Sequence, residues 1–243
     1  MAITLEPLIA HRGAAPYAPE NTFAAFEKAR ELGARSIEFD VMMSADGELF
    51  VFHDTTFKRT TNGRGQFGDA SSEYIASLDA GSWFSSRFRD EKIPKLDETL
   101  RWFARHSLHA NIEMKPLPGR TDETTTAVLS CINQCWSDDA PLPLLSSFDE
   151  KALQLCSHVS PELPLGLLLL SWKKDWLTRL QHVNGVSLHL PKHVVNQERI
   201  QEIKNEGYAV CVYTVNSKKW ARQFWAWGAD AIISDYPDLM NKQ

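Results

Sequence analysis

The chain of 243 residues carries a formal net charge of −5 at pH 7, and 43% of its residues are hydrophobic. This balance is typical of a globular protein and, with no lysine- or arginine-rich block, argues against nucleic-acid binding. The first residues lack the regions of a signal peptide, and the most apolar run, 163–170, is far shorter than the roughly 20 residues of a membrane helix. We therefore expect a cytoplasmic protein with no membrane anchor.

Short apolar runs alternate with helical patterns along most of the chain. The strand-like runs cover residues 7–10, 36–43, 49–53, 109–114, 143–147, 164–170, 185–190, 208–213 and 230–234. The helical patterns cover residues 20–32, 97–106, 122–136, 149–158, 173–182, 196–206 and 217–227. About eight strand–helix units predict an α/β fold, a TIM-type (β/α)8 barrel, as a single catalytic domain over residues 1–243. A doubly wound sheet fits less well because no GxGxxG motif follows the first strand.

One long segment, 55–95, interrupts this alternation and contains only a short helical pattern at 72–78. Loops of this length inside a compact domain are usually functional. Because the segment follows a strand, it should leave the barrel at the C-terminal face, where barrel enzymes hold their active sites. We interpret it as a small inserted cap subdomain after the second strand region. A flexible surface insertion is the alternative.

Aromatic residues are concentrated in two places. Trp220, Phe224 and Trp227 recur at helical spacing, which predicts one apolar face packed against the barrel. The aromatic residues of SWFSSRF, 82–88, either line a pocket or form the insertion's own small core, and the sequence leaves both interpretations open.

Two strands end in closely spaced charged residues. In IEFDV, Glu38 and Asp40 are two residues apart, so both point to the same side of the strand. In NIEMK, Glu113 and Lys115 share a side in the same way. Buried like charges repel each other, and carboxylate oxygens are suitable ligands for Mg²⁺ or Ca²⁺. The pattern therefore predicts a cation site beside Lys115, with Glu38 and Asp40 as ligands and Glu113 as a third. A solvated edge strand and an ordinary ion pair are the alternatives.

Two histidines close early strands. His11, followed by Arg12, ends the first apolar run, and His53 ends the strand before the insertion. A single histidine in such a place is usually packed or solvated, but imidazole is also the side chain that exchanges protons near neutral pH. Together with the three carboxylates and two cationic side chains, this pair predicts a site suited to attack on a phosphate ester.

A set of short motifs runs through nearly the whole chain. They are HRG at 11–13, PENT at 19–22, ExD at 38–40, DG at 46–47, HD at 53–54, RTTNG at 59–63, ExK at 113–115, YTVN at 213–216 and DAIISDYP at 230–237. As a set, they strongly resemble the glycerophosphodiester phosphodiesterase family of cytoplasmic bacterial type. That family has a TIM-type barrel with a subdomain inserted after the second strand region, which agrees with the pattern described above.

The resemblance implies a role for each matching residue. His11 and His53 would form an acid/base pair. Glu38, Asp40 and Glu113 would bind a divalent cation, Mg²⁺ or Ca²⁺, and Arg12 and Lys115 would contact the substrate phosphate. Glu20 and Asn21 would begin the first helix, which has Asn21 or Thr22 as its cap. Asn21 could also reach the site, but we expect it to cap the helix.

The implied reaction is the hydrolysis of a small glycerophosphodiester, such as glycerophosphocholine or glycerophosphoethanolamine, to sn-glycerol 3-phosphate and an alcohol. One histidine would take a proton from the glycerol 2-hydroxyl or from water, and the other would protonate the leaving alcohol. One alternative is a phospholipase D-like lyase that makes a cyclic phosphate from lysolipids. Another is a barrel that binds phosphodiesters without turnover. The sequence leaves open whether the chain forms a homodimer.

Overall fold

A computed structural model describes residues 5–137 and 140–239. In this part of the chain the strands are β1 (Leu8–His11), β2 (Ser36–Met43), β3 (Leu49–Val51), β4 (His109–Met114), β5 (Leu144–Ser147), β6 (Leu165–Leu168), β7 (Ser187–Pro191), β8 (Ala209–Tyr213) and β9 (Ala231–Ser234). β1 pairs in parallel with both β2 and β9, so all strands except β3 close into an eight-stranded parallel barrel. The predicted TIM-type fold is confirmed.

The helices of the described ranges are α1 (Phe23–Glu31), α2 (Ser72–Ser77), α3 (Leu96–His106), α4 (Thr121–Cys135), α5 (Glu150–Val159), α6 (Trp176–His182), α7 (Gln197–Asn205) and α8 (Lys218–Trp227). All except α2 follow the barrel strands and cover them. Phe103 of α3, for example, packs on Phe39 of β2 with ring centroids 5.0 Å apart. Among the described helices, none has the length and apolar character needed to cross a membrane.

β2 is longer than its neighbours and changes partner along one edge. Its first half pairs with β1, where His11 lies opposite Glu38, and its last residues pair with the antiparallel β3. Its other edge pairs with β4, where Asp40 lies opposite Glu113. Because side chains alternate along a strand, Glu38 and Asp40 point into the barrel while Phe39 points to the helices. The register therefore brings acidic residues of β2 beside those of β4.

The segment 55–95 shares a second, smaller apolar core with the β2–β3 hairpin and the residue after it. This core consists of Met42, Phe50, Phe52, Phe57, Phe67, Ile75, Leu78, Ala80 and Ile93. Near the end of the segment, Glu91 accepts a 3.1 Å hydrogen bond from the backbone N–H of Ala24 in the first turn of α1. Trp83 and Phe88 both contact Phe84 and lie outside this core. The insertion is thus a packed unit beside the barrel.

Two apolar stretches are less buried than their composition predicts. On α8, Ala221 and Phe224 form the buried face, and Trp220, which is 50% exposed, stacks on Phe224 with ring centroids 5.8 Å apart. The expectation that Trp220 belongs to the core is wrong. β6 ends at Leu168, two residues before the predicted end, and Leu170 is 71% exposed.

Candidate active site

A cavity of about 400 Å³ opens at the C-terminal end of the barrel. Its lining consists of His11, Arg12, Glu38, His53, Asn111, Glu113, Lys115, Ser146, Phe148, Leu168, Leu170, His189, Tyr213, Thr214 and Ile233. Of the candidate residues from the sequence, only Asp40 is absent from this lining, because it is fully buried behind Arg12 and Lys115. The structure therefore brings all of the candidate residues together, at the end of the barrel where active sites lie.

Three carboxylates form one cluster beside this cavity. One oxygen each from Glu38, Asp40 and Glu113 lies within 4.8 Å of the others. Burial and the negative charges of its two neighbours raise the pKa of Glu38 well above its ordinary value. Burial, together with the charge of Asp40, raises the pKa of Glu113 to about 7. A divalent cation relieves such repulsion between hard oxygen donors, so the cluster could hold one.

Asp40 is the member of this cluster with the most cationic partners. Burial alone would raise its pKa, but the charges of Arg12 and Lys115 outweigh that effect, and the pKa is lowered. Arg12 Nε lies 3.1 Å from Asp40 Oδ2, and Lys115 Nζ lies 3.4 Å from Oδ1. Oδ1 is buried and accepts no hydrogen bond from the described residues. One oxygen of Asp40 is therefore available to a ligand of the site.

The expectation that Asn21 caps the first helix is wrong. The cap is Thr22, whose side-chain oxygen accepts a 3.3 Å hydrogen bond from the backbone N–H of Ala25. Asn21 has a left-handed backbone, with φ of 57°, and its side-chain amide donates to Asp40 Oδ2 at 2.9 Å. Asn21 thus helps to hold a carboxylate of the site rather than the helix.

His11 is held by a carboxylate from the far end of the chain. Its Nδ1 lies 2.6 Å from Oδ1 of Asp235, which follows β9, and the side-chain amide of Asn216 donates to the other oxygen of Asp235. The Nε2 atom lies 3.9 Å from Glu38 Oε2. A carboxylate on Nδ1 favours the tautomer with its proton there, which leaves Nε2 free to exchange a proton.

His53 has a partner of the same kind. Its Nδ1 lies 2.6 Å from Oδ1 of Asp54, and Asp54 in turn accepts two hydrogen bonds from Arg59, at 2.7 and 2.9 Å. Burial lowers the pKa of His53 below its ordinary value, so the ring is neutral near pH 7. Two of the histidines that line the cavity, His11 and His53, are therefore each held at Nδ1 by an aspartate.

The side chain of Arg12 forms part of the cavity wall and is held there by carboxylates. Its Nη1 donates to Glu20 at 2.7 Å, and its Nε faces Asp40. The backbone of Arg12 is left-handed, with φ of 53°, and that of Gly13 follows with φ of 87°. A Cβ atom on Gly13 would lie 2.7 Å from the backbone carbon of Ala25, so only glycine fits this close approach to α1. The tight turn aims the guanidinium at the site.

The rest of the lining gives the cavity an apolar wall and a polar floor. Phe148, Leu168 and Leu170 form the wall, and Leu170 lies at its exposed rim. Asn111 and His189 form part of the floor, where Asn111 Nδ2 and His189 Nδ1 have no hydrogen-bond partner among the described residues. Burial lowers the pKa of His189 to about 3. No described residue of the segment 55–95 lines this cavity.

Four residues of the site received no catalytic or binding role from the sequence. They are Glu20, Asp54, Arg59 and Asp235, each of which binds a candidate residue or a partner of one. All four lie inside the short motifs noted above, and that position is the signal that could have found them.

The amino-acid sequence matches a known family over most of its length. A model of the glycerophosphoryl diester phosphodiesterase family matches residues 11–239 of the chain. The chain belongs to this family. Its members are phosphoric diester hydrolases, so the predicted family and enzyme class are both confirmed.

Relatives of this family are similar to the chain over nearly all of its length. A glycerophosphodiester phosphodiesterase of Caldanaerobacter subterraneus subsp. tengcongensis is 34% identical over 96% of this chain and 95% of the relative. One of Bacillus subtilis is 31% identical over 96% of this chain and 85% of the relative. A solved phosphodiesterase structure from Oleispira antarctica, in complex with the product sn-glycerol-3-phosphate, is 34% identical, covers 98% of both chains and has a TM-score of 0.94.

Proposed function

We propose that this chain hydrolyses small glycerophosphodiesters, such as glycerophosphocholine or glycerophosphoethanolamine, to sn-glycerol 3-phosphate and an alcohol. Membership of the family supports this substrate class. The Oleispira antarctica phosphodiesterase, whose fold superposes with a TM-score of 0.94, was solved with the product sn-glycerol-3-phosphate. That product carries the same phosphate and glycerol groups that the proposed substrate would bring to the cavity.

The observation that carries the proposal is the pair of His–Asp contacts at one cavity. Hydrolysis of a phosphodiester by water forms one P–O bond and breaks another, and it needs one proton removed and one delivered. One histidine takes the proton of the attacking water, and the other gives a proton to the oxygen of the leaving alcohol. Asp235 and Asp54 keep the two rings in the tautomer that leaves Nε2 for this exchange.

The charge of the substrate is matched by two cationic residues of the lining. Arg12 and Lys115 both lie in the cavity wall, and each also contacts Asp40. We assign them to the phosphate oxygens, where fixed positive charges stabilise the negative charge that builds up during attack. Their contacts to Asp40 keep them in place before the substrate binds.

Glu38, Asp40 and Glu113 are the residues that would hold a divalent cation. The buried Oδ1 of Asp40 and the raised pKa values of Glu38 and Glu113 fit such an ion, because all three carboxylates gain by its charge. Oxygen donors of this kind suit Mg²⁺ or Ca²⁺. A bound cation would supply Lewis-acid polarisation and neutralise charge on the phosphate.

The proposal is tested by incubating the purified protein with glycerophosphocholine after EDTA treatment, with and without added Mg²⁺ or Ca²⁺. We expect sn-glycerol 3-phosphate and choline, both dependent on the added ion. Asp40→Asn should lose this turnover, whereas Asp122→Asn, which removes an exposed carboxylate of α4, should keep it. A cyclic glycerophosphate as the final product would instead support the lyase, and binding without product under any ion would support the non-catalytic barrel.

A further inference from the structure

Arg59 lies in the insertion, outside the cavity, and joins two carboxylates that hold different parts of the site. Its Nε and Nη2 donate to Asp54 at 2.7 and 2.9 Å. Its Nη1 and Nη2 donate to Glu20 at 2.5 and 2.8 Å. Every oxygen of these two carboxylates therefore accepts a hydrogen bond from the same guanidinium. Only the planar fork of arginine can serve two carboxylates in this way.

Each of the two carboxylates also binds a residue of the proposed reaction. Asp54 Oδ1 lies 2.6 Å from Nδ1 of His53, and Glu20 Oε1 accepts a 2.7 Å hydrogen bond from Nη1 of Arg12. A continuous chain of hydrogen bonds thus runs from His53 through Asp54, Arg59 and Glu20 to Arg12. It connects a proton-transfer group to a phosphate-binding group by a route that passes through the insertion.

The charges along this chain support its role. The hydrogen bonds from Arg59 are the main cause of a lowered pKa at Asp54, so Asp54 remains a carboxylate that can accept the Nδ1 proton of His53. Glu20 is mostly buried, and Arg59 and Arg12 together keep its pKa low against the effect of that burial. Without Arg59, Asp54 would keep only its contact with His53, and Glu20 only its contact with Arg12, among the described side-chain hydrogen bonds.

We propose that Arg59 is a positioning residue for the reaction, which holds Asp54 and Glu20 so that His53 and Arg12 keep their orientation at the cavity. This inference rests on the proposed function of the site. The segment 55–95 would thus have a role in the site through Arg59, although none of its described residues lines the cavity. The competing explanation is that Arg59 only fastens the insertion to the barrel.

The test compares Arg59→Gln with Arg64→Gln, a matched control in the same insertion with an exposed side chain. Removal of a residue that orients catalytic groups is expected to lower kcat for glycerophosphocholine about 10- to 100-fold in Arg59→Gln, with KM changed by less than about threefold. Because Arg59 is 45% exposed, the midpoint of thermal unfolding should fall by less than about 4 °C. A fastening role predicts the opposite pattern, with lowered stability and unchanged kcat.

A double-mutant cycle identifies the route. If Arg59 acts through Asp54, the loss of kcat in Arg59→Gln/Asp54→Asn should be clearly smaller than the product of the two single losses. Guanidinium ion should restore part of the kcat of Arg59→Ala, and ammonium ion at the same concentration should not. Independent losses without guanidinium rescue, or a kcat of Arg59→Gln equal to that of Arg64→Gln, would overturn the inference.

A spectroscopic readout separates this inference from the proposed substrate. The Nδ1–H proton of His53 that bonds Asp54 should give a low-field NMR resonance, assigned by its loss in His53→Gln. We expect this resonance to persist in Arg64→Gln and to shift or broaden away in Arg59→Gln. A wild-type protein that shows the resonance but does not cleave glycerophosphocholine would reject the proposed function alone. An unchanged resonance in Arg59→Gln would reject the positioning role alone.

Discussion

Replacing His189 with asparagine should change how the stability of the barrel depends on pH. His189 lies on β7 inside the barrel and is fully buried. Its Nε2 lies 3.0 Å from Oγ of Ser187, and a Cβ atom on Gly166 would come within 2.5 Å of it, so the ring fills the space that this glycine leaves. Burial lowers its pKa to about 3, which means that the folded protein keeps the ring neutral over the range from pH 8 to pH 5.

The size of the effect follows from proton linkage. In the unfolded chain His189 has its ordinary pKa near 6.5, so below that pH the unfolded state takes up a proton that the folded state refuses. Stability therefore falls as the pH drops from about 6.5 towards 3. At pH 5 the unfolded state gains about 2 kcal/mol from this proton, at about 1.4 kcal/mol for each pH unit below 6.5.

Urea unfolding of the wild type and His189→Asn at pH 8, 7, 6 and 5 measures this difference. Other titrating groups are common to both proteins and cancel in the comparison. We expect the loss of unfolding free energy between pH 8 and pH 5 to be about 2 kcal/mol smaller in the variant. His193→Asn, which removes an exposed histidine after β7, should behave as the wild type does. An equal loss in the wild type and His189→Asn would mean that burial does not keep His189 neutral in the folded protein.

Two further substitutions test the turn after β1 and the partner of His11. In urea unfolding, Gly13→Ala should lower the free energy of unfolding by about 2–4 kcal/mol, because the new Cβ would clash with α1 and φ is positive. Gly47→Ala, where φ is similar but the space is open, should lower it by only about 1–2 kcal/mol. Equal losses would contradict the steric argument. Asp235→Asn should lower kcat about 10²- to 10⁴-fold at nearly constant KM, because an amide no longer holds the Nδ1 proton of His11. Asp238→Asn, whose carboxylate binds only a tyrosine hydroxyl among the described contacts, should keep wild-type turnover, and an unchanged kcat in Asp235→Asn would reject the tautomer argument.

The barrel could be predicted because its signals are local. β2 spans Ser36–Met43, as the alternation of its residues indicates, and the register of β2 places Glu38 and Asp40 on the inner side of the sheet. Apolar content did not predict the end of a strand correctly where the side chains line the opening of the cavity rather than the core. Leu170 continues an apolar run but lies at the exposed rim of the cavity, so the predicted strand was too long.

The contacts around the candidate site could be predicted only in part. Residues two apart on one strand, such as Glu113 and Lys115, must share a side, and their charged groups do lie 3.7 Å apart. The contact of His11 with Asp235 joins residues 224 positions apart and exists only because closure of the barrel puts β1 beside β9. The fork of Arg59 likewise depends on how the insertion packs, which no spacing in the sequence specifies.

We propose that His11 and His53 carry the proton transfers of phosphodiester hydrolysis at this cavity, and the turnover of His53→Ala with glycerophosphocholine measures this role. Loss of one acid/base group should lower kcat about 10²- to 10⁴-fold. His158→Ala, which removes an exposed histidine of α5, should keep the wild-type rate. Release of sn-glycerol 3-phosphate by a folded His53→Ala at the wild-type rate would contradict the claim.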